Sequence, residues 1–296
     1  MRQVALVWLA LAGCSIKHRS DDIVDAPPGS NPDDGPPVVT PPDGAPDIDA
    51  PPPFDVRDVP GLRLWLDGAQ GVTKDAQNRV SKWADQSGNA NDATAGDQTR
   101  PDFVAASFGQ LPAIHFGITR MSGLSVRDAA TLRWGADDFV VEVVTRFKND
   151  PQANGDGVGC LFQKGGQGAG LSLFGNRDSS GAGAGGPGAT GRAASVVTSR
   201  TVRATGALNN NKPHVIALRR HENTLELRVD GAIAAMTTGV DTLSVDNASA
   251  ISIGSLFNGA AFRVDGDIAE VIAIVGDGST THLEKVESYL IEKYIP

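Results

Sequence analysis

The stretch "DFVVEVVTRF", residues 138 to 147, places Phe139, Val141, Val143 and Thr145 on one side of an extended chain. That period of two is the signature of a β-strand. Similar β-branched and apolar runs recur between turn signals: "LRLWLD" (62–67), "PAIHF" (112–116), "GCLFQK" (159–164), "GLSLFG" (170–175), "AASVVTS" (193–199), "HVIALRR" (214–220), "LELRVD" (225–230), "AIAAMTT" (232–238), "AISIGSL" (250–256) and "DIAEVIAIVG" (267–276). Asp230-Gly231 separates two of them and reads as a two-residue hairpin, because a type I′ turn needs φ > 0 at both central positions. Many short strands with hairpin turns argue for an all-β sandwich or barrel.

One segment has a helical period. In "STTHLEKVESYLIEKY" (279–294), Leu283, Val286, Leu290 and Tyr294 form a stripe, and Thr281 with Glu284 matches a capping box. The expected body is a β domain with one amphipathic helix docked at its end.

The chain ahead of this body is of another kind. "MRQVALVWLALAGC" has a basic start, nine apolar residues from Val4 to Ala12, and then Leu11-Ala12-Gly13-Cys14. The apolar run is too short to span a bilayer and suits a signal peptide. Its ending resembles the lipobox of bacterial lipoproteins. That resemblance implies a signal peptide over 1–13 and a lipid on Cys14 that holds the mature chain on a membrane of the bacterial envelope, at the outer membrane or cell surface. Residues 21 to 54 contain eleven of the eighteen Pro and no Lys, Arg or Glu. Such a composition cannot bury enough apolar surface to offset its ordering entropy. Residues 14–57 therefore read as a lipidated Cys and a disordered tether with polyproline II character, reaching up to roughly 100 Å at ~3.1 Å per residue. The globular domain is expected over 58–296. With Cys14 lipidated, Cys160 has no intrachain partner and reads as a small buried hydrophobe.

The whole chain carries −9, residues 1 to 20 carry +3 and residues 21 to 55 carry −9, which leaves only −3 for residues 56 to 296. The globular part has no basic field for nucleic acid and no Lys/Arg block for anionic lipid.

"PGLRLWLDGAQGV…VSKWADQSGNANDATA…RPDFV…LPAIHF" near the start, and "VDGDIAEVIAI" followed by "LEKVESYLIEKY" at the end, resemble bacterial concanavalin A-like lectin/glucanase domains of the laminin-G-like type. The resemblance covers roughly residues 58 to 296, with the middle matching by strand rhythm. It implies a two-sheet jelly-roll sandwich whose N- and C-terminal strands meet, carrying one C-terminal helix. It further implies carbohydrate binding, and loops that often hold calcium at a rim. Two loops depart from the family pattern: "HFGITRMSGL" has only Gly117 where an Asp-Gly pair is common, and "VGDGST" replaces a Tyr-Asp-Arg turn.

Three sets of residues are candidates for chemistry. Glucanases on this fold carry two carboxylates on one strand face, one attacking and one donating a proton at ~5 Å separation. The nearest match is Asp265, Asp267 and Glu270. Glu270 shares parity with Ile268, Ile272 and Ile274, so a packed role with an arginine such as Arg63 or Arg219 is favoured over catalysis. Calcium wants six to eight oxygens. "DQSGNAND" offers Asp85, Asn89 and Asp92, with Asp265 as a contributor from another loop. As an EF-hand it fails, with Ala90 in place of the Gly and Gly96 in place of the bidentate Glu. Asp85, Ser87 and Asn89 serving their own turn backbone is the favoured reading. The glycine-rich run 175–195 lacks the Lys, the Ser/Thr and the helix of a phosphate loop, and reads as a surface loop at a ligand lip. Aromatics make up only 5% of the chain, and Trp65, Trp83 and Trp134 lie in or beside strands, as core residues do.

The sequence thus points to a surface-anchored, non-catalytic binding or adhesion module whose partner is a glycan or a surface protein. A glycoside hydrolase on the same fold and a structural envelope spacer are the alternatives.

Overall fold

The computed structural model describes residues 54–147, 159–165, 170–175, 194–197, 200–204, 208, 210–256, 259–276 and 280–295. Cys14, the tether up to residue 53, most of the glycine-rich run and the Thr281 side chain of the capping box lie outside them.

The described strands are β1 (Leu62–Asp67), β2 (Val72–Lys74), β3 (Val80–Trp83), β4 (Ala93–Thr94), β5 (Asp102–Phe108), β6 (Leu111–Phe116), β7 (Leu124–Val126), β8 (Phe139–Phe147), β9 (Gly159–Lys164), β10 (Leu171–Gly175), β11 (Ala194–Val197), β12 (Arg200–Arg203), β13 (Pro213–His221), β14 (Thr224–Val229), β15 (Ala232–Thr238), β16 (Ile251–Ile253) and β17 (Gly266–Val275). One helix follows, α1 (Thr280–Tyr294). The first sheet runs β15-β14-β13-β8-β17-β6-β5, and the second runs β12-β11-β10-β9-β16-β7-β4-β3-β2. All pairings between the described strands are antiparallel. This is the expected two-sheet sandwich with a single C-terminal helix.

The terminal strands meet as expected. One edge of β17 is shared: Gly266 to Ile268 pair with β6, and Glu270 to Ile274 pair with β1. At the hairpin between β14 and β15, Asp230 and Gly231 have φ of 50° and 81°, the geometry that Asp-Gly supplies at little steric cost.

Phe139, Val141, Val143 and Phe147 of β8 enter the core between the sheets. Val140 and Val144 point the other way and are equally buried. The cause is α1, which lays Leu283, Val286 and Leu290 over that second face. A 15-residue helix is marginal alone in water. Burying each of these side chains is worth about 1.5–3 kcal/mol, which is what holds the helix. Val56 and Val59 join the same cluster from the chain before β1. Trp134 lies between the sheets, tilted against Phe139 of one and stacked on Phe162 of the other, at centroid distances of 5.6 and 6.2 Å.

A register shift in β17 lies between Ile268 and Glu270. It is a β-bulge, which sends two successive residues to one side. Ile268 therefore faces the inter-sheet core, whereas Ala269 joins the α1-facing cluster with Ile272 and Ile274. Glu270 also faces α1. The parity expected between Glu270 and Ile268 fails at this bulge.

Candidate functional site

The carboxylates of β17 are built into the fold. Glu270 is fully buried. It accepts hydrogen bonds from Trp65 Nε1 at 2.7 Å, Lys293 Nζ at 2.8 Å, Tyr294 Oη at 2.9 Å and Tyr289 Oη at 3.2 Å. The cation is Lys293 of α1, not Arg63 or Arg219 as the sequence suggested; Arg219 pairs with Glu226. The bulge explains the change, because it turns Glu270 toward the last turn of the helix. Lys293 also bonds Asp67, another buried carboxylate, at 3.2 Å. Burial raises the Glu270 carboxyl above its ordinary value, against the pull of Lys293. Burial alone would lower the Lys293 ammonium, but Glu270, Tyr289 and Asp67 together outweigh it and hold the ammonium above its usual range.

Asp267 has its own set of donors. His115 Nδ1 and Ser107 Oγ each lie 2.7 Å from it, and Arg146 forks onto the same carboxylate. Burial raises this carboxyl, but the hydrogen bonds from His115, Ser107 and Arg146 outweigh burial and hold it below its ordinary range. Asp265, just before β17, is half-buried. A glycosidase pair needs an acid and a nucleophile that both reach the sugar. The oxygens of Asp267 and Glu270 reach protein donors instead.

The 82–95 segment forms a self-bonded turn. Asp85 Oδ1 accepts from Trp65 N and Ser87 N, both at 2.9 Å, and Oδ2 accepts from Ser87 Oγ at 2.7 Å and Asn91 N at 2.9 Å. A carboxylate has about four lone-pair sites, and all four are engaged. Asn89 Nδ2 donates to the Leu62 carbonyl at 3.1 Å, and Asp92 accepts from Asp85 N at 2.9 Å and Lys82 Nζ at 3.2 Å. Among the described residues, no three His, Cys, Asp or Glu side chains gather where they could share a metal ion. Cys160 is buried under Phe174 and Leu256, and burial pushes its thiol well above the ordinary range.

The outward face of the second sheet has a different character. Strand registers align Lys82, Thr94, Ser125, Ser252, Gln163 and Ser172 in one row across β3, β4, β7, β16, β9 and β10. In the neighbouring row, Trp83, Ala93, Val126, Ile251 and Leu171 belong to the core, with Lys164 of β9 buried between the last two. Alternation therefore sends the polar row outward. It is open at Thr94, half-buried at Lys82, Ser125 and Ser252, and closed at Gln163 and Ser172. At the closed end Gln163 Nε2 donates to the Gly165 carbonyl at 2.7 Å, while Gln163 Oε1 accepts no hydrogen bond among the described residues. A buried acceptor left without a donor is uncommon and costs about 1–3 kcal/mol. The row holds hydroxyls, an amide and one ammonium at the ~4.8 Å spacing of adjacent strands. It can exchange hydrogen bonds with a polyhydroxylated surface.

The architecture has relatives among solved structures. The binding domain of botulinum neurotoxin serotype G matches with a TM-score of 0.52 and 10% identity, over 77% of this chain and 51% of that one. The binding domain of botulinum neurotoxin DC, solved in complex with SialylT, matches with 0.51 and 9%, over 80% and 52%. Trypanosoma rangeli sialidase matches with 0.50 and 14%, over 79% and 33%. No family model and no curated protein matches the chain. At these identities the likeness is one of fold, a β-sandwich. The chain spans about half the length of the toxin binding domains and about a third of the sialidase.

The sequence reading missed the polar row. Its only local signal is a small polar residue inside each apolar run, Ser125 in "LSV", Ser172 in "LSLF" and Ser252 in "ISI".

Proposed function

We propose that the chain is a non-catalytic binding module that presents the outward row of its second sheet to a glycan. The observation that carries this reading is the alignment of Thr94, Ser125 and Ser252 across three neighbouring strands, all open or half-buried on the outward face. A sugar would seat on the accessible stretch of the row, from Thr94 to Ser252. Recognition here relies on hydroxyls, since Trp65, Trp83 and Trp134 are all buried and none serves as a stacking platform. Two of the solved sandwiches it resembles are toxin binding domains, one of them solved in complex with SialylT, which supports a binding role. A lipid on Cys14 and the Pro/Asp tether would hold the module at the bacterial surface, a reading supported by the lipobox-like ending of its first residues.

The test is a glycan array probed with the purified protein, with and without calcium, beside the variants Ser252→Trp and Thr94→Trp. Binding by the wild type that falls about tenfold or more, equivalent to about 1.4 kcal/mol, in both variants is the expected result. Glycan binding that neither variant weakens would place the site elsewhere. Absence of any glycan ligand, with capture of a surface protein instead, would replace the glycan by a protein partner.

A further inference from the structure

Glu142 lies in the middle of β8 and is fully buried, yet neither of its carboxyl oxygens has a hydrogen-bond partner among the described residues. It shares its side of the strand with Val140 and Val144, the side that α1 covers. Strand registers set it in a row with Ile272 on one side and Ala217, then Arg228, on the other. Arg228 does not turn to Glu142. It forks onto Glu287 of α1, with Nε–Oε1 and Nη2–Oε2 both at 2.7 Å. Three carboxyls, of Glu287, Glu226 and Glu142, therefore stand around one guanidinium in a buried layer, and Glu142 is the one with no bond among the described residues.

The other charged groups around this layer are committed. From β17 comes Glu270, held by Lys293 of α1, which also bonds Asp67 of β1. From β13 comes Arg219, paired with Glu226 of β14, which also lies 3.6 Å from Arg228. An ionised Glu142 would be a bare charge in this layer, which is prohibitively costly without a partner. It could gain one only by drawing Arg228 across the small side chain of Ala217, and that would strand Glu287 on the helix. Either outcome loosens α1.

We propose that Glu142 is a proton-operated latch for the C-terminal helix, neutral while α1 is docked and ionised only when α1 lifts. Burial, reinforced by repulsion from Glu287, raises its carboxyl well above the ordinary value, in agreement with the geometry. The sign follows from linkage. A carboxyl that is raised in the docked state contributes docking stability that is fully present below its ordinary value and is lost as pH rises. Lifting α1 releases one proton, so the opening constant grows about tenfold per pH unit between the two values.

The experiment is hydrogen exchange of the 283–294 segment in the full-length chain across a pH series, corrected for the intrinsic base-catalysed rate, in the wild type and in Glu142→Gln. The logarithm of the opening constant in the wild type should rise with pH by about one unit more per pH unit than in Glu142→Gln. Glu142→Leu should show the same loss of slope. Equal slopes in wild type and variants would overturn the latch. Infrared spectroscopy reads the wild type independently of any variant's folding. A protonated carboxylic acid band should persist at neutral pH and vanish when the protein unfolds; its absence in the folded wild type would also overturn the proposal.

Discussion

Removing the ammonium of Lys293 should cost this protein more than almost any other change to a partly exposed side chain. Lys293 Nζ lies 2.8 Å from Glu270, 3.2 Å from Asp67 and 2.8 Å from the Tyr289 hydroxyl. The Glu270 side chain is 0% exposed and that of Asp67 3%, whereas Lys293 keeps 19%. Lys293→Met preserves the stem and deletes the charge, leaving two buried carboxylates without a cation. Breaking a buried pair by removing one partner costs about 3–5 kcal/mol. The partial exposure of Lys293 places the expectation at the lower end, about 3 kcal/mol. For a domain of this size that is a fall in Tm of roughly 6–12 °C. Urea unfolding followed by Trp fluorescence measures it, and a double-mutant cycle with Glu270→Gln isolates the pair. Glu270→Gln should destabilise the wild type, where it weakens four good hydrogen bonds. In the Lys293→Met background it should restore stability, because it removes a charge that has lost its partner. That change of sign is the signature. A Lys293→Met variant within about 0.5 kcal/mol of wild type, the ordinary value for a surface substitution, or a strictly additive cycle, would refute the reasoning.

Other consequences can be checked on the same protein. Asp85→Ala removes the acceptor of three backbone N–H groups and should cost about 2–3 kcal/mol, while millimolar calcium against chelator should leave the wild-type melting temperature unchanged in calorimetry, because the Asp85 oxygens are already engaged. Asp128 is held well below the ordinary carboxylate range by Arg133 and by Lys164, itself buried. A depressed carboxyl contributes stability that is present above its unfolded value and lost as pH falls, so Asp128→Asn should unfold earlier than wild type at neutral pH, and the gap should narrow as the solution is acidified. Gly254 follows β16 with φ of 79°, and a Cβ there would sit 2.0 Å from the Phe116 ring; overpacking and left-handed strain together put Gly254→Ala at about 3 kcal/mol or more in chemical unfolding.

Much of the fold is legible in the sequence because its signals are local. The eleven strand-like runs, from "LRLWLD" to "DIAEVIAIVG", all coincide with strands. The helical stripe Leu283, Val286, Leu290 and Tyr294 is buried residue for residue. Six strands escape notice: β2, β3, β4, β7 and β12 because two to four residues carry no clear period, and β5 because its burial does not alternate along the strand. Glu142 reads locally as the polar member of an alternating strand. It is buried because α1, some 140 residues later in the chain, covers the face on which it stands.

Side-chain period, turn residues and helical stripe were therefore determined by the sequence alone, since each depends on neighbours within a few residues. Partnership was decided only by the tertiary structure. Lys293 reaches Glu270 because one bulged residue turns Glu270 toward the helix. Ser125, Ser252, Gln163 and Ser172 form one polar row because interstrand registers, set by packing across the whole sandwich, bring them side by side from distant points in the chain.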